Sequence, residues 1–137
     1  MGKALGIDYG TKRTGIAITD AVKIIASGLT TVSTSLLHDF IADLVLKDDI
    51  DCFVVGYPVN LDGKVTNNTM YVKNFIKKLS NTYPKIPIYK VDERFTSKMA
   101  KKAILASGIK KKERRNKALV DEVSATIILQ SFLEYRS

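Results

Sequence analysis

Residues 3–19 read KALGIDYGTKRTGIAIT. An apolar stretch from Lys3 ends in the acid Asp8. Tyr9 to Arg13 holds Gly10 and two cations, and Thr14 to Thr19 is again β-branched and apolar. Two strand-like runs about a glycine-bearing segment predict a β-hairpin. Ile24 to Thr31, after a turn at Asp20-Ala21, supplies a third short strand, so the chain opens as a meander.

Downstream the pattern changes. Leu37, Phe40, Ile41 and Leu44 fall at i, i+3, i+4 and i+7, the spacing of one buried helix face, with Ser33 or Ser35 placed to cap it. Cys52 to Gly56 is a continuous apolar run suited to a strand covered on both faces. A loop containing Pro58, Asn60, Asp62 and Gly63 leads to a second helix carrying Val72, Phe75, Ile76 and Leu79. Beyond Pro84 and Pro87, Ile86 to Val91 predicts a fifth strand that finishes in Asp92 and Glu93. Thr96 or Ser97 caps a third helix running toward Ser107, with Gly108 to end it. The charge block KKKERR, Lys110 to Arg115, precedes a long final helix from about Ala118 to Tyr135. The order βββαβαβαα implies an α/β fold, a mixed five-stranded sheet flanked by helices, because parallel neighbours need crossover connections.

The 137 residues, 45% hydrophobic and 26% charged, suit one domain spanning 1–137. A chain of this size buries about two thirds of its unfolded surface and needs no disulfide or structural metal. The single cysteine, Cys52, allows no intrachain bridge or thiolate metal site and reads as a buried, inert thiol. The single histidine, His38, lies in the first amphipathic helix, which argues against a Ser-His or Cys-His relay. No segment reaches the roughly 18 apolar residues of a membrane span, so a cytoplasmic location without membrane attachment is expected. Twenty-two basic residues against 14 acidic ones give a net charge of +8. That excess favours a polyanion, with nucleic acid the first candidate.

Three acidic positions stand out. In α/β sheets ligands collect beyond the carboxyl ends of the strands. Asp8 ends one strand there, and the Asp92-Glu93 pair ends another. Strand alternation sends Asp92 and Glu93 to opposite faces, and the pattern alone does not choose between them. Asp121, in the last helix, has Ala125 and Ile128 beneath it, a small apolar face on which an acid needs a partner. Carboxylates gathered at one edge repel each other unless a cation neutralises them. Mg2+ or Mn2+, which prefer oxygen ligands and substrate phosphates, fit that need. Metal-assisted phosphodiester hydrolysis is the chemistry such a cluster supports.

Four segments, GIDYGTKRTGIAITD (Gly6–Asp20), VVGYPVNLDG (Val54–Gly63), VDERFTS (Val91–Ser97) and VDEVSATIILQSFL (Val120–Leu133), resemble the YqgF family, also called RuvX. That family comprises Holliday junction resolvases and ribosomal RNA maturation nucleases of RNase H-like fold. The resemblance runs from end to end and implies an RNase H-like nuclease with Asp8, Glu93 and Asp121 as catalytic and metal-binding acids. It thereby selects Glu93 over Asp92. It places maturation of the 5′ end of pre-16S ribosomal RNA first, with the ribosome or its assembly intermediates as partners, and resolution of branched DNA second. Lys12, Arg13 and Arg94 follow these acids and are expected on phosphates. Asn60 and Asp62 are expected to touch substrate from the loop after the fourth strand. Lys111, Arg114 and Arg115 of the KKKERR block are expected to bind nucleic acid, with the protein a monomer or homodimer. The chain also departs from the family: Tyr57 stands where leucine or arginine is frequent, and Met70 and Tyr71 where arginines are common.

Two rival readings remain. The first motif also resembles the phosphate-binding hairpin of actin-like ATPases and sugar kinases, but those enzymes close two such domains around a nucleotide. A non-catalytic RNA-binding or ribosome-assembly module would need the basic charge but not the acids.

Overall fold

The computed structural model describes residues 2–23, 25–57, 67–92 and 117–136. Within them the strands are β1 (Lys3–Asp8), β2 (Arg13–Thr19), β3 (Ala26–Ser33), β4 (Ile50–Tyr57) and β5 (Ile88–Asp92). The helices are α1 (Leu37–Lys47), α2 (Asn67–Thr82) and α3 (Lys117–Arg136). The five strands form one sheet in the order β3-β2-β1-β4-β5. β1 and β2, and β2 and β3, pair antiparallel, whereas β1 and β4, and β4 and β5, pair parallel. The expected mixed five-stranded sheet and the order of its strands are present. The helix expected between Thr96 and Ser107, and the KKKERR block, lie outside the described residues.

Period-two alternation divides the sheet into two faces. Leu5, Ile7, Ile16, Phe53 and Val55 point to one side, where they bury Leu37 and Ile41 of α1 and Val72, Phe75 and Leu79 of α2. Ala4, Ala17, Cys52 and Val54 point to the other and meet Ala125, Ile128 and Leu129 of α3. Each fully buried Leu, Ile, Val or Phe among them contributes roughly 1.5–3 kcal/mol, so both layers are firmly seated. The α3 side is built from smaller residues, which lets that helix lie close. A Cβ on Gly6 would come 2.8 Å from the Leu129 Cβ.

Three local expectations are corrected. β3 spans Ala26–Ser33 and so runs two residues past the expected end at Thr31, while Ile24 lies outside the described residues. Neither Ser33 nor Ser35 caps α1 through its side chain. A 3-10 turn, Thr34–Leu36, intervenes with Ser33 as its N-cap, but no side-chain cap bond forms; the two serine hydroxyls bond each other at 3.0 Å instead. Arg13, expected in the hairpin turn, is already the first residue of β2, paired with Ser33.

Candidate active site

Asp8 is the last residue of β1 and stands in register with Gly15 of β2. Gly15 lies directly beneath α3: a Cβ there would sit 2.0 Å from the Asp121 carbonyl oxygen. The two acids therefore bracket one glycine, Asp8 beside it across the strand pair and Asp121 above it. Asp8 also shares the phase of Ala4 and Gly6, which face α3, so both acids belong to the same side of the sheet.

Arg13 joins them from two residues before Gly15. Its Nε donates to Asp121 Oδ2 at 3.0 Å, with side-chain exposures of 40% and 25%. The partner that an acid on α3 requires is thus supplied by the hairpin. Solvent screening limits this pair to at most about 1 kcal/mol of stability, so its geometry matters more than its strength.

The segment between β1 and β2 is tied down by a residue that sequence reading passed over. Thr34 donates its backbone N–H to the Lys12 carbonyl at 3.0 Å and its hydroxyl to the Gly10 carbonyl at 2.6 Å. With that proton committed, Thr34 Oγ1 accepts from the Thr14 hydroxyl at 2.9 Å. Lys12 itself is exposed. A polar residue three strands along the chain carried no local signal of this contact, because it depends on the return of β3 alongside β2.

Asp92 pairs with Tyr57 at the end of β5. It shares the phase of Ile88, which packs with the α1/α2 layer, and of Lys90, whose Nζ lies 4.9 Å from the centre of the Tyr57 ring. Asp92 therefore belongs to the face opposite Asp8 and Asp121. Glu93, Arg94, Asn60, Asp62, Lys111, Arg114 and Arg115 lie outside the described residues. Among the described residues no group of three or more His, Cys, Asp or Glu side chains could hold a metal ion.

The donor chemistry at the Asp8–Asp121 edge is nevertheless that of a hard cation. Both groups offer carboxylate oxygens. The soft or imidazole donors lie elsewhere, Cys52 buried in the layer beneath α3 and His38 on the other side of the sheet, tilted against Phe75 with ring centres 5.9 Å apart. Burial, aided by Lys78 and opposed by Asp39, holds the His38 imidazole below its ordinary pKa. An oxygen-only donor set suits a hard divalent cation.

The RuvX family, described as Holliday junction resolvase, matches residues 2–135. The chain belongs to that family. A RuvX relative in Porphyromonas gingivalis, named "Putative pre-16S rRNA nuclease", is 53% identical over 134 residues, covering 98% of this chain and 97% of the relative. A relative of the same name in Phocaeicola vulgatus is 52% identical, with 98% and 96% covered. Among solved structures, T. thermophilus RuvC in complex with a Holliday junction substrate superposes with a TM-score of 0.62 over 99% of this chain and 96% of that one. At 17% identity this likeness concerns the fold, which is RNase H-like. The resemblance read from four sequence motifs is thus matched by the family as a whole. No helix among the described residues is long and apolar enough to cross a membrane.

Proposed function

We propose that the chain is a nuclease that hydrolyses phosphodiester bonds with Mg2+ or Mn2+, and that its task is maturation of the 5′ end of pre-16S ribosomal RNA. The observation that carries this reading is the convergence of Asp8 and Asp121 around Gly15 on one face of the sheet. Membership of the RuvX family and the name borne by relatives at about half identity support it. The substrate is then precursor RNA, met in the cytoplasm alone or on ribosome-assembly intermediates.

In this mechanism Asp8 and Asp121 would hold the ion, with Glu93 as the third carboxylate. Asp92 is the poorer choice for the third ligand because its phase is that of the opposite face. When bound, a divalent ion lowers the pKa of a water and offsets charge developing on the phosphoryl oxygens. Asp121 is held in place by Arg13 Nε, which leaves the rest of the guanidinium fork for a phosphate oxygen. Lys12 and Arg94 add positive charge on either side of the scissile bond. Thr34 fixes the hairpin that carries Lys12 and Arg13, so these cations need little reordering when substrate arrives. Asn60, Asp62, Lys111, Arg114 and Arg115 contact the flanking strand.

A second reading, cleavage of branched DNA, draws on the family's description. It requires two active sites, hence a homodimer, whereas a monomer suffices for RNA. Incubating the purified chain with labelled precursor RNA and with a synthetic four-way junction, each with Mg2+, with Mn2+ and with neither, tests the proposal. Metal-dependent cleavage of the RNA is expected. Cleavage of the junction alone would favour the second reading, and cleavage of neither would favour a non-catalytic binding module.

A further inference from the structure

Helix α2 turns a face without acids to solvent. Asn67–Thr82 contains Lys73, Lys77 and Lys78 and no Asp or Glu. Those lysines, with Met70, Tyr71 and Asn74, are all exposed, Met70 at 52% and Tyr71 at 53%. Helical spacing sorts the six into two adjacent rows, Met70-Lys73-Lys77 and Tyr71-Asn74-Lys78, each at i, i+3 and i+7.

The rows start at the carboxyl edge of the sheet where β1 ends in Asp8, with α2 covering the face opposite to the one Asp8 and Asp121 share. β4 and β5 are parallel neighbours, so α2, which connects them, runs back against them and its first turns stand beyond their carboxyl ends. Two further aromatics mark that edge. Tyr57 closes β4 beneath the Lys90 ammonium. Tyr9, next to Asp8, stacks on Phe75 with ring centres 4.6 Å apart, one helical turn below Tyr71.

We propose that this face of α2 is the binding track for an unpaired strand of the substrate, with Tyr71 stacking on a base and Lys73 and Lys77 neutralising phosphates. The proposal rests on the nuclease reading and narrows its substrate to nucleic acid that is single-stranded beside the cleavage site. Lysines alone would attract duplex and single strand alike. An exposed tyrosine adds affinity only where a base is free to leave its stack. Among the described residues Met70 and Tyr71 keep about half of their surface in solvent, 52% and 53%, and a base laid across them would cover both. The absence of acids removes repulsion of a polyanion along the helix.

The test uses the Asp8→Asn protein, so that RNA is not consumed, and follows anisotropy of a short labelled single-stranded RNA and of a blunt RNA duplex across a salt series. Tyr71→Ala is expected to weaken single-strand binding by about ten- to a hundredfold, leaving the duplex and the salt slope unchanged, and Tyr71→Phe to restore it. Lys73→Gln with Lys77→Gln should lower the single-strand salt slope by roughly 1.4, about 0.7 for each lysine. If Tyr71→Ala binds the single strand as tightly as its parent, or loses both RNAs equally, the track is wrong and the nuclease reading stands. If the parent binds neither RNA nor a four-way junction at low salt, both fall together.

Discussion

Gly15 and Asp121 approach so closely that a Cβ on the glycine would lie 2.0 Å from the Asp121 carbonyl oxygen and 3.0 Å from the Glu122 nitrogen. The obstacle is helix backbone, which cannot rotate aside as a side chain would. Alanine at position 15 must therefore lift the start of α3 from β2 and move Asp121 away from Asp8. Gly15→Ala should lower the urea midpoint by the equivalent of about 1–3 kcal/mol, the usual cost of overpacking, and depress cleavage further than stability alone explains. An unchanged midpoint would mean that α3 sits higher on the sheet than described.

Arg13 is expected to separate stability from activity. The ion pair with Asp121 is partly exposed, so Arg13→Gln should change the unfolding free energy by less than about 1 kcal/mol. Loss of one charge-assisted bond at the site should nevertheless reduce kcat/KM by about ten- to a hundredfold. Arg13→Lys restores charge without the planar fork and should recover only part of the rate. Steady-state kinetics on labelled RNA, read beside denaturation curves, check both halves.

Thr34→Val keeps the shape of the side chain and removes the hydroxyl that serves Gly10 and Thr14. A loss of about 1–3 kcal/mol follows from two partners left without their bond. Thr34→Ser should restore most of it. Thermal unfolding of the three proteins side by side decides the matter.

Stability should fall on mild acidification because of His38. Its folded pKa is lowered by burial first and by Lys78 second, with Asp39 opposing, so the unfolded chain binds this proton at a higher pH than the folded one. The contribution is complete above about pH 6.5, declines as pH drops through that value, and levels off below the folded pKa. His38→Gln should flatten this part of the profile. Asp51 acts at lower pH. Burial raises its pKa, but its hydrogen bond to Lys23 and the Lys23 charge, with help from Cys52 and the Gly2 N–H, outweigh that and lower it. Its stabilisation is therefore present above the ordinary carboxylate value and lost as pH falls through the lower folded one.

Local patterns reached far into this fold. The apolar run of Lys3–Asp8 and the i, i+3, i+4 spacings of Leu37 and Val72 depend on neighbours along the chain, and the sheet follows from their order. Arg13 was legible as a basic residue near an acid, but not as the partner of Asp121, 108 positions away. Gly15 carried no sign that a helix would rest on it. Thr34 looked like one of several hydroxyl residues before a helix, and its role came from β3 lying beside β2. Periodicity did not choose between Asp92 and Glu93; the packing of Ile88 puts Asp92 in phase with the α1/α2 face, and Glu93 lies outside the described residues.

The central claim is that Asp8 and Asp121 act together in holding a divalent ion for hydrolysis. Asp8→Asn removes one carboxylate charge at nearly constant size, so the most direct measurement is cleavage of labelled precursor RNA by the purified variant across a Mg2+ and Mn2+ series, with RNA binding measured in parallel. Loss of metal-dependent cleavage with binding retained is expected. Cleavage at the rate of the unmodified protein, with contaminating nuclease excluded, would contradict the account.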